Sequence, residues 1–297
     1  MFTVRPDGTR LRQVTHGLGA GQHGISWSPN GRGLIYTLGR IDGTDQIVKS
    51  RADGSGAIDI SPVCRVGRGA CLGDDDPTYS PDGKKIAFER AFGPVVKEVA
   101  ARVAIFTMNA AGRHFTQLTQ KSTPTSTEDS QPQWSPDGTK IAFVRTNTTA
   151  KPRQKGAIEI MNANGSNIRR ITPFRIDATD PHWSPDGTRL LFNTYAHPTQ
   201  FKSANLFTMS ADGKHRVALT NYRGGTLQAI ADGWSPDGTR ILFHRLSFSG
   251  SSTEVGGFYI LTLRLKNIVD NASNRIQRLT SVQLRYDARA AWGRRPS

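Results

Sequence analysis

The sequence contains no long hydrophobic run and almost no cysteine. A membrane-spanning helix needs about 20 consecutive apolar residues, whereas the longest apolar stretches here, such as residues 103–106, are far shorter. Only 2 of the 297 residues are Cys, too few for a scaffold held by several disulfides. Residues 1–5 do not resemble a signal peptide. We therefore predict no membrane insertion and no disulfide-rich fold.

Catalytic motifs are missing as well. The sequence has no Gly-x-Ser-x-Gly nucleophile elbow and no phosphate-binding Walker loop. These absences predict a protein that is not an enzyme and that needs no cofactor.

Acidic residues are scarce relative to basic ones. The chain has 24 Asp and Glu against 39 Lys and Arg, a formal net charge of +15. Because such a surplus attracts anionic partners, binding of an anionic polymer is one alternative function. Nucleic-acid binding is not predicted, since the basic residues are not interleaved with aromatic residues on which bases would stack. The other interpretation is that Arg is dispersed over a solvated outer surface.

What the sequence does contain is one phrase repeated about every 50 residues. It consists of Trp or Tyr followed by Ser-Pro-Asp-Gly or Ser-Pro-Asn-Gly. The copies begin at Trp27, Tyr79, Trp134, Trp183 and Trp234, and a degenerate sixth begins at Trp292. Pro, Asp and Gly in this order are typical of a tight turn between two strands.

A second phrase recurs between the copies of the first, at residues 105–112, 158–165 and 206–213. Each copy is a short apolar run followed by a Gly-containing turn and then by a run that ends in Leu-Thr or Ile-Thr. Each unit is therefore predicted to form four short strands. Units of four strands and about 50 residues are typical of a β-propeller. The predicted fold is all-β, a six-bladed propeller forming a single domain over residues 1–297.

The two ends of the chain are predicted to share the last blade. Residues 1–16 match the third and fourth strands of a unit, and residues 284–297 match a first strand. Closing the ring in this way would remove free sheet edges. No segment matches the second strand of this blade. The pattern favours an upstream segment that this chain lacks over a blade of three strands.

The repeats resemble those of the TolB-like β-propeller family, in which the Trp-Ser-Pro-Asp-Gly phrase precedes Ile-Ala-Phe, as in Lys85-Ile86-Ala87-Phe88 and Lys140-Ile141-Ala142-Phe143. The resemblance implies a non-enzymatic scaffold that binds a protein or peptide outside the cytoplasm, in the periplasm or after secretion. Similar propellers also accompany enzymes. The alternative function is therefore a propeller domain associated with a hydrolase or a carbohydrate-active enzyme.

The predicted binding site lies at the mouth of the central channel. Tight turns are expected on one face, and the longer connections, 64–76, 91–102, 146–156, 195–204, 222–231 and 247–256, on the other, functional face. Acidic residues precede the aromatic residue of most units and would converge there. The candidate residues are His23, Asp74, Asp75, Asp76, Asp129, Asp180, Asp232 and Asp287. Such carboxylates can bind Ca²⁺ or basic side chains of a partner. The alternative is that they cap turns or pair with Arg.

Cys64 and Cys71 lie close together in one Gly-containing segment. A disulfide between them would hold this segment and indicate an oxidising compartment. Two free thiols are the alternative. A metal site is not predicted, because no further ligands lie nearby at a suitable spacing.

Overall fold

The protein is seen in a computed structural model that describes residues 1–5, 7, 9–15, 21–39, 44–62, 71–93, 102–119, 127–150, 155–195, 203–223, 227–249, 252–263, 275–278 and 291–292. These residues form 22 β-strands and one 3₁₀ turn at Phe174–Ile176. The prediction of an all-β protein is confirmed. No helix in the described ranges is long and apolar enough to cross a membrane.

Most strands belong to five units of four antiparallel strands, named a, b, c and d in chain order. Unit 1 contains β3 (Gly21–Trp27), β4 (Gly33–Gly39), β5 (Asp45–Arg51) and β6 (Ile58–Asp59). Unit 2 contains β7 (Cys71–Tyr79), β8 (Lys85–Phe92), β9 (Arg102–Asn109) and β10 (Thr116–Gln117). Unit 3 contains β11 (Thr127–Trp134), β12 (Lys140–Asn147), β13 (Lys155–Asn162) and β14 (Arg169–Arg170).

The remaining strands complete the pattern. Unit 4 contains β15 (Ala178–Trp183), β16 (Arg189–Tyr195), β17 (Ser203–Ser210) and β18 (Val217–Ala218). Unit 5 contains β19 (Leu227–Trp234), β20 (Arg240–Ser249), β21 (Ser252–Thr262) and β22 (Arg275–Arg278). A separate antiparallel pair is formed by β1 (Phe2–Thr3) and β2 (Arg12–Gln13). The order agrees with the predicted four-stranded repeat, and the count of six blades stays a prediction.

The connection between the b and c strands of unit 5 differs from the expectation. A long loop was predicted at residues 247–256, but β20 and β21 remain paired up to Ser249 and Ser252. The prediction of a loop here was wrong. Aromatic and β-branched residues within this segment, such as Phe248 and Thr253, favour strands.

The Ser-Pro-Asp-Gly phrase closes the a–b hairpin through a fixed set of hydrogen bonds. In unit 2 the Ser80 hydroxyl donates to Asp82 Oδ1 (2.7 Å), and the backbone N–H of Lys85 donates to Ser80 Oγ (2.9 Å). Gly83 has a φ of 69°, the left-handed conformation that glycine adopts without strain. The Pro has a further role, because Pro29 of unit 1 lies against Gly83, 3.5 Å from the point where a Cβ would stand.

The turn carboxylates should make the stability of the folded protein sensitive to acid. Hydrogen bonds from the Ser235 hydroxyl and the Thr239 N–H lower the pKa of Asp237 from 3.8 to about 2. A carboxylate whose pKa is lower in the folded protein stabilises it above the unfolded pKa, and this contribution is lost as the pH falls through the folded pKa. The pKa values of Asp82, Asp137 and Asp186 are lowered by the same kind of contacts. The melting temperature should therefore fall between about pH 4 and about pH 2.

Asp237→Asn should remove part of this pH dependence, because it lowers the melting temperature at pH 7, where the carboxylate is charged, and changes it little near pH 2. The equivalent residue of unit 1 is Asn30, which accepts hydrogen bonds from Ser28 Oγ (2.8 Å) and from the N–H of Arg32 (3.0 Å). Thermal unfolding of both proteins from pH 7 to pH 2 tests this. Identical pH profiles would contradict it.

The hydrophobic core lies between neighbouring units. The b strands carry a Phe that is fully buried in four units, at Phe88, Phe143, Phe192 and Phe243. One cluster contains Ala87 and Ile105 of unit 2 together with Trp134, Ile141 and Phe143 of unit 3. The aromatic residue that ends an a strand therefore packs against the preceding unit, which explains why the repeat requires it.

Candidate functional site

The a strands of the five units end around one cavity of about 190 Å³. Each contributes the residues just before its aromatic residue or the aromatic residue itself, and Ala291 and Trp292 supply a further segment. The polar residues that line the cavity are Ser26, Asp76, Thr78, Gln131, Gln133, Asp180, His182 and Asp232. Among its described lining residues there is no Lys or Arg. A protein with a net charge of +15 thus encloses an acidic cavity.

Three of these side chains stand at β-bulges. The register of the a strand shifts three residues before the aromatic residue in units 2, 3 and 4. At that point Asp76, Gln131 and Asp180 have φ values of 47°, 54° and 52°. A left-handed conformation costs such a residue about 1–2 kcal/mol. Strain of this kind persists where the surroundings enforce it and is frequent at functional sites.

Neighbouring units hold these residues in place. The N–H of Gln131 donates to Glu89 Oε2 (2.8 Å) in unit 2. The Gln131 side chain then bonds Asp180 of unit 4 twice, accepting from its N–H (2.9 Å) and donating to Oδ1 (3.0 Å). A chain of hydrogen bonds therefore runs from unit to unit along the cavity wall.

Two of the predicted carboxylates are bound within their own sheets. Asp74 is fully buried and receives two hydrogen bonds from the Arg90 guanidinium, at 2.6 and 2.8 Å. Asp129 makes the same arrangement with Arg145, which also contacts Glu159 at 2.7 Å. Arg145 has a raised pKa, because its bonds to Asp129 and the charges of Asp129 and Glu159 outweigh its burial.

The remaining carboxylates link strands or units. Asp75 Oδ1 accepts from the Thr37 hydroxyl of unit 1 (2.7 Å) and from the N–H of Asp76 (2.6 Å). Asp232 is buried beside His244, whose Nδ1 lies 3.0 Å from Asp232 Oδ2. Asp75 therefore joins units 1 and 2, and Asp232 joins the first two strands of unit 5.

Solved structures share this architecture. A protein identified as a TolB from Agrobacterium tumefaciens matches with a TM-score of 0.66 and 17% identity, over 91% of this chain and 84% of that chain. The TolB of Acinetobacter baumannii matches with a TM-score of 0.60 and 17% identity, over 88% of this chain and 56% of that chain. The chain has the TolB-like β-propeller fold. No protein-family model matches the sequence, and no curated protein sequence matches it.

Enzymes also occur among the structures that resemble this TolB-like propeller. An oligogalacturonate lyase in complex with manganese matches with a TM-score of 0.55 and 14% identity, over 84% of this chain and 63% of that chain. At such identities the likeness establishes the fold alone. The function therefore has to be argued from the residues of this chain.

The predicted site residues separate into three groups in the TolB-like propeller. The residues that line the cavity are Asp76, Asp180 and Asp232. The residues that bond to other strands away from it are Asp74, Asp75 and Asp129. Outside the described part of the chain lie Asp287, Cys64 and the side chains of His23 and Cys71. The predicted disulfide and the roles of Asp287 and His23 stay predictions.

The cavity is also lined by Gln131, Gln133 and His182, which were not among the predicted site residues. Gln131 stands three residues before its aromatic residue, as Asp76 and Asp180 do. A comparison by position in the repeat, rather than by charge, would have found it.

Metal binding and the face of the site were also predicted. Among the described residues, no group of three or more His, Cys, Asp or Glu side chains is placed to hold a metal ion. Calcium in the channel mouth stays a prediction. The centres of most longer connections, including 63–70, 94–101 and 196–202, lie outside the described ranges. The assignment of function to that face therefore also stays a prediction.

Proposed function

We propose that this TolB-like propeller is a non-enzymatic scaffold that binds a basic segment of a protein or peptide at its central cavity. One observation carries the proposal. The described lining contains Asp76, Asp180 and Asp232 but no Lys or Arg, although the whole protein has a net charge of +15. Complementary charge selects partners and speeds their association, so a basic side chain fits this cavity and an acidic one does not.

The rigidity and size of the cavity favour the same ligand. Asp180 accepts one hydrogen bond from the Gln131 side chain and donates another to it. Because the carboxylate is already held in place, little ordering is required when a partner binds. The volume of about 190 Å³ is below the roughly 300–1,000 Å³ of pockets for small molecules. Such a cavity suits a Lys or Arg side chain, which forms strong charge-assisted hydrogen bonds with carboxylates.

We further propose that the cavity is the channel of a six-bladed ring over residues 1–297, with residues 1–16 and 284–297 sharing the last blade. Support comes from both ends of the chain. Gly54 of unit 1 packs on Val14, just as Gly112 of unit 2 packs on Ile60 of unit 1. Trp292 lines the cavity, and its ring lies 5.3 Å from the Arg240 guanidinium of unit 5.

Binding of labelled peptides tests the function. The fluorescence anisotropy of an Arg- and Lys-rich peptide should rise saturably as protein is added. That of a Glu-rich peptide of the same length should not change. The double variant Asp76→Asn/Asp180→Asn should lower the affinity for the basic peptide at least about 10-fold, equivalent to about 1.4 kcal/mol of binding free energy. The control is Asp212→Asn, which removes an exposed turn carboxylate paired with Lys214. Equal affinity in all three proteins would contradict the proposal.

Two alternative functions are each supported by a specific observation. The likeness to the oligogalacturonate lyase favours a carbohydrate-active enzyme, and cleavage of oligogalacturonate by the purified protein would replace the scaffold function. A groove between units 1 and 2 is lined by Arg32, Lys49 and Arg51, which favours an anionic polymer. Retention on heparin that falls steeply with salt would indicate it.

We also propose an extracytoplasmic location, supported by the likeness to TolB and by the two Cys.

A further inference from the structure

The groove between units 1 and 2 is lined mainly by residues of their a–b and c–d turns and has a volume of about 460 Å³. This volume is within the roughly 300–1,000 Å³ of pockets that bind small molecules. The charged residues of its described lining are Arg32, Lys49, Arg51 and Asp82. Asp82 is engaged in its own turn, where it accepts from the Ser80 hydroxyl and from the N–H of Lys84. The groove therefore has a net positive charge.

The three cations of the groove do not belong to the repeat. Equivalent backbone hydrogen bonds and strand pairs identify the same three positions in the next three units. They are Lys84, Thr107 and Asn109 in unit 2, Thr139, Ile160 and Asn162 in unit 3, and Thr188, Thr208 and Ser210 in unit 4. Because units 3 and 4 form the same strands without a cation at any of these positions, the fold does not require Arg32, Lys49 and Arg51. Such departures from a local rule are expected at functional sites.

Lys49 is held between the two units. Its Nζ donates to the carbonyl of Ala110 in unit 2 at 3.1 Å, which uses one of the three N–H donors of an ammonium group. Arg51 Nη1 lies 3.4 Å from Ser55 Oγ, and a guanidinium has five N–H donors. Both side chains can therefore form charge-assisted hydrogen bonds with an anion while they keep these contacts.

Apolar side chains lie beside these cations. Ile58 lines the groove and is 57% exposed, whereas the residues that pair in the same way in units 2 and 3 are Thr116 and Arg169. Tyr79 also lines the groove and stands where the a strands of the other four units end in Trp. The groove thus combines an exposed apolar surface with cations, and Arg side chains stack on flat rings.

We propose that this groove binds a small organic anion in which a flat apolar ring carries a carboxylate or phosphate group. The anionic group lies against Lys49 and Arg51, and the ring covers Ile58. An anionic polymer fits less well, because it needs cations along its length and units 3 and 4 have none at these positions. The groove and the acidic cavity share no described lining residue, so this site is separate from the one that binds a basic segment.

The chain itself is a poor occupant of the groove. The acidic residues outside the described ranges are Asp42, Glu98, Asp270 and Asp287. Basic residues outnumber them in the same segments. Because like charges repel, these segments do not complement the cations of the groove, and a separate anionic ligand does.

2-Naphthoate is the probe, and isothermal titration calorimetry measures its binding. The uncharged analogue is 2-naphthamide, and acetate is the anion without a ring. 2-Naphthoate should bind saturably, and each of the other two should bind at least about 10-fold more weakly. Tighter binding of 2-naphthyl phosphate than of 2-naphthoate would identify phosphate as the preferred anionic group, and the reverse order would identify carboxylate.

The double variant Lys49→Thr/Arg51→Asn tests the two cations. It should fold, because Thr107 and Asn109 occupy these positions in unit 2, and its melting temperature should stay close to that of the original protein. Its affinity for 2-naphthoate should be lower at least about 10-fold. The matched control is Lys214→Asn, which removes an exposed cation from the c–d turn of unit 4 and should leave the affinity unchanged.

Absence of saturable 2-naphthoate binding by folded protein would overturn the proposal, as would equal affinity for 2-naphthoate and 2-naphthamide. Unchanged affinity in Lys49→Thr/Arg51→Asn would contradict the assignment of the site to the groove. Loss of binding in Asp76→Asn/Asp180→Asn would assign 2-naphthoate to the cavity instead. Heparin oligosaccharides that displace 2-naphthoate and bind more tightly as their length increases would make an anionic polymer the occupant.

Discussion

Replacing Arg90 with Met is expected to lower the free energy of unfolding by about 3–5 kcal/mol, the usual result of removing one partner from a buried ion pair. Arg90 and Asp74 are 7% and 1% exposed, and two hydrogen bonds join them. Arg90 also donates to the carbonyl of Pro62 (3.1 Å), and its guanidinium lies 5.7 Å from the Phe88 ring. The variant would leave the Asp74 carboxylate buried without its cation.

The destabilisation of this variant should depend on pH. Burial raises the pKa of Asp74, and Arg90 is the group that opposes this shift. Without Arg90 the pKa rises further, so the folded state takes up a proton more readily than the unfolded state. A raised carboxyl pKa means that stability is lost as the pH rises through it. The free energy of unfolding of Arg90→Met should therefore be closer to that of the original protein at pH 5 than at pH 7.

Chemical denaturation at both pH values is the measurement. Lys84→Met is the control, because Lys84 forms an exposed ion pair with Asp82, and such pairs contribute little to stability. Arg90→Met/Asp74→Leu should recover stability, since no charge is then buried alone. If Arg90→Met and Lys84→Met had equal effects at pH 7, the buried pair would not have the role assigned to it.

The same pair shows why charge alone did not predict the site. Asp74 and Asp76 are two residues apart in the sequence, and both were assigned to the channel mouth. In the structure Asp74 faces Arg90 within the sheet, while the bulge at Asp76 turns the strand towards the cavity. A bulge changes which face a residue occupies, and its place in the strand depends on contacts with the neighbouring unit.

The strands themselves could be predicted because their signals are local. A tight turn at Ser80–Gly83 and the apolar run Ile86–Phe88 of the b strand after it lie within a few residues of each other. The bonds between units join residues about 50 positions apart, such as Gln131 and Asp180. Nothing in either residue's own segment specifies such a partner, so the repeat predicted the fold and only part of the site.

Glycine in the c–d turns illustrates the same limit, and Gly112→Ala is expected to be strongly destabilising. The sequence explains this Gly by its turn, and its φ of 75° agrees. The structure adds that a Cβ at Gly112 would stand 2.4 Å from the carbonyl oxygen of Ile60 in unit 1. Gly112→Ala should therefore force units 1 and 2 apart as well as strain the turn.

The two contributions can be separated with Gly56→Ala. Gly56 also has a left-handed φ, 63°, but its nearest neighbour would be Arg51 Nη1 at 3.8 Å. Backbone strain should lower the free energy of unfolding by about 1–2 kcal/mol in Gly56→Ala. Overpacking adds about 1–3 kcal/mol, so Gly112→Ala should lose about 2–5 kcal/mol. Guanidinium denaturation measures both variants. If the two lost the same amount, turn conformation alone would explain the glycine, and the close approach of the two units would contribute nothing to stability.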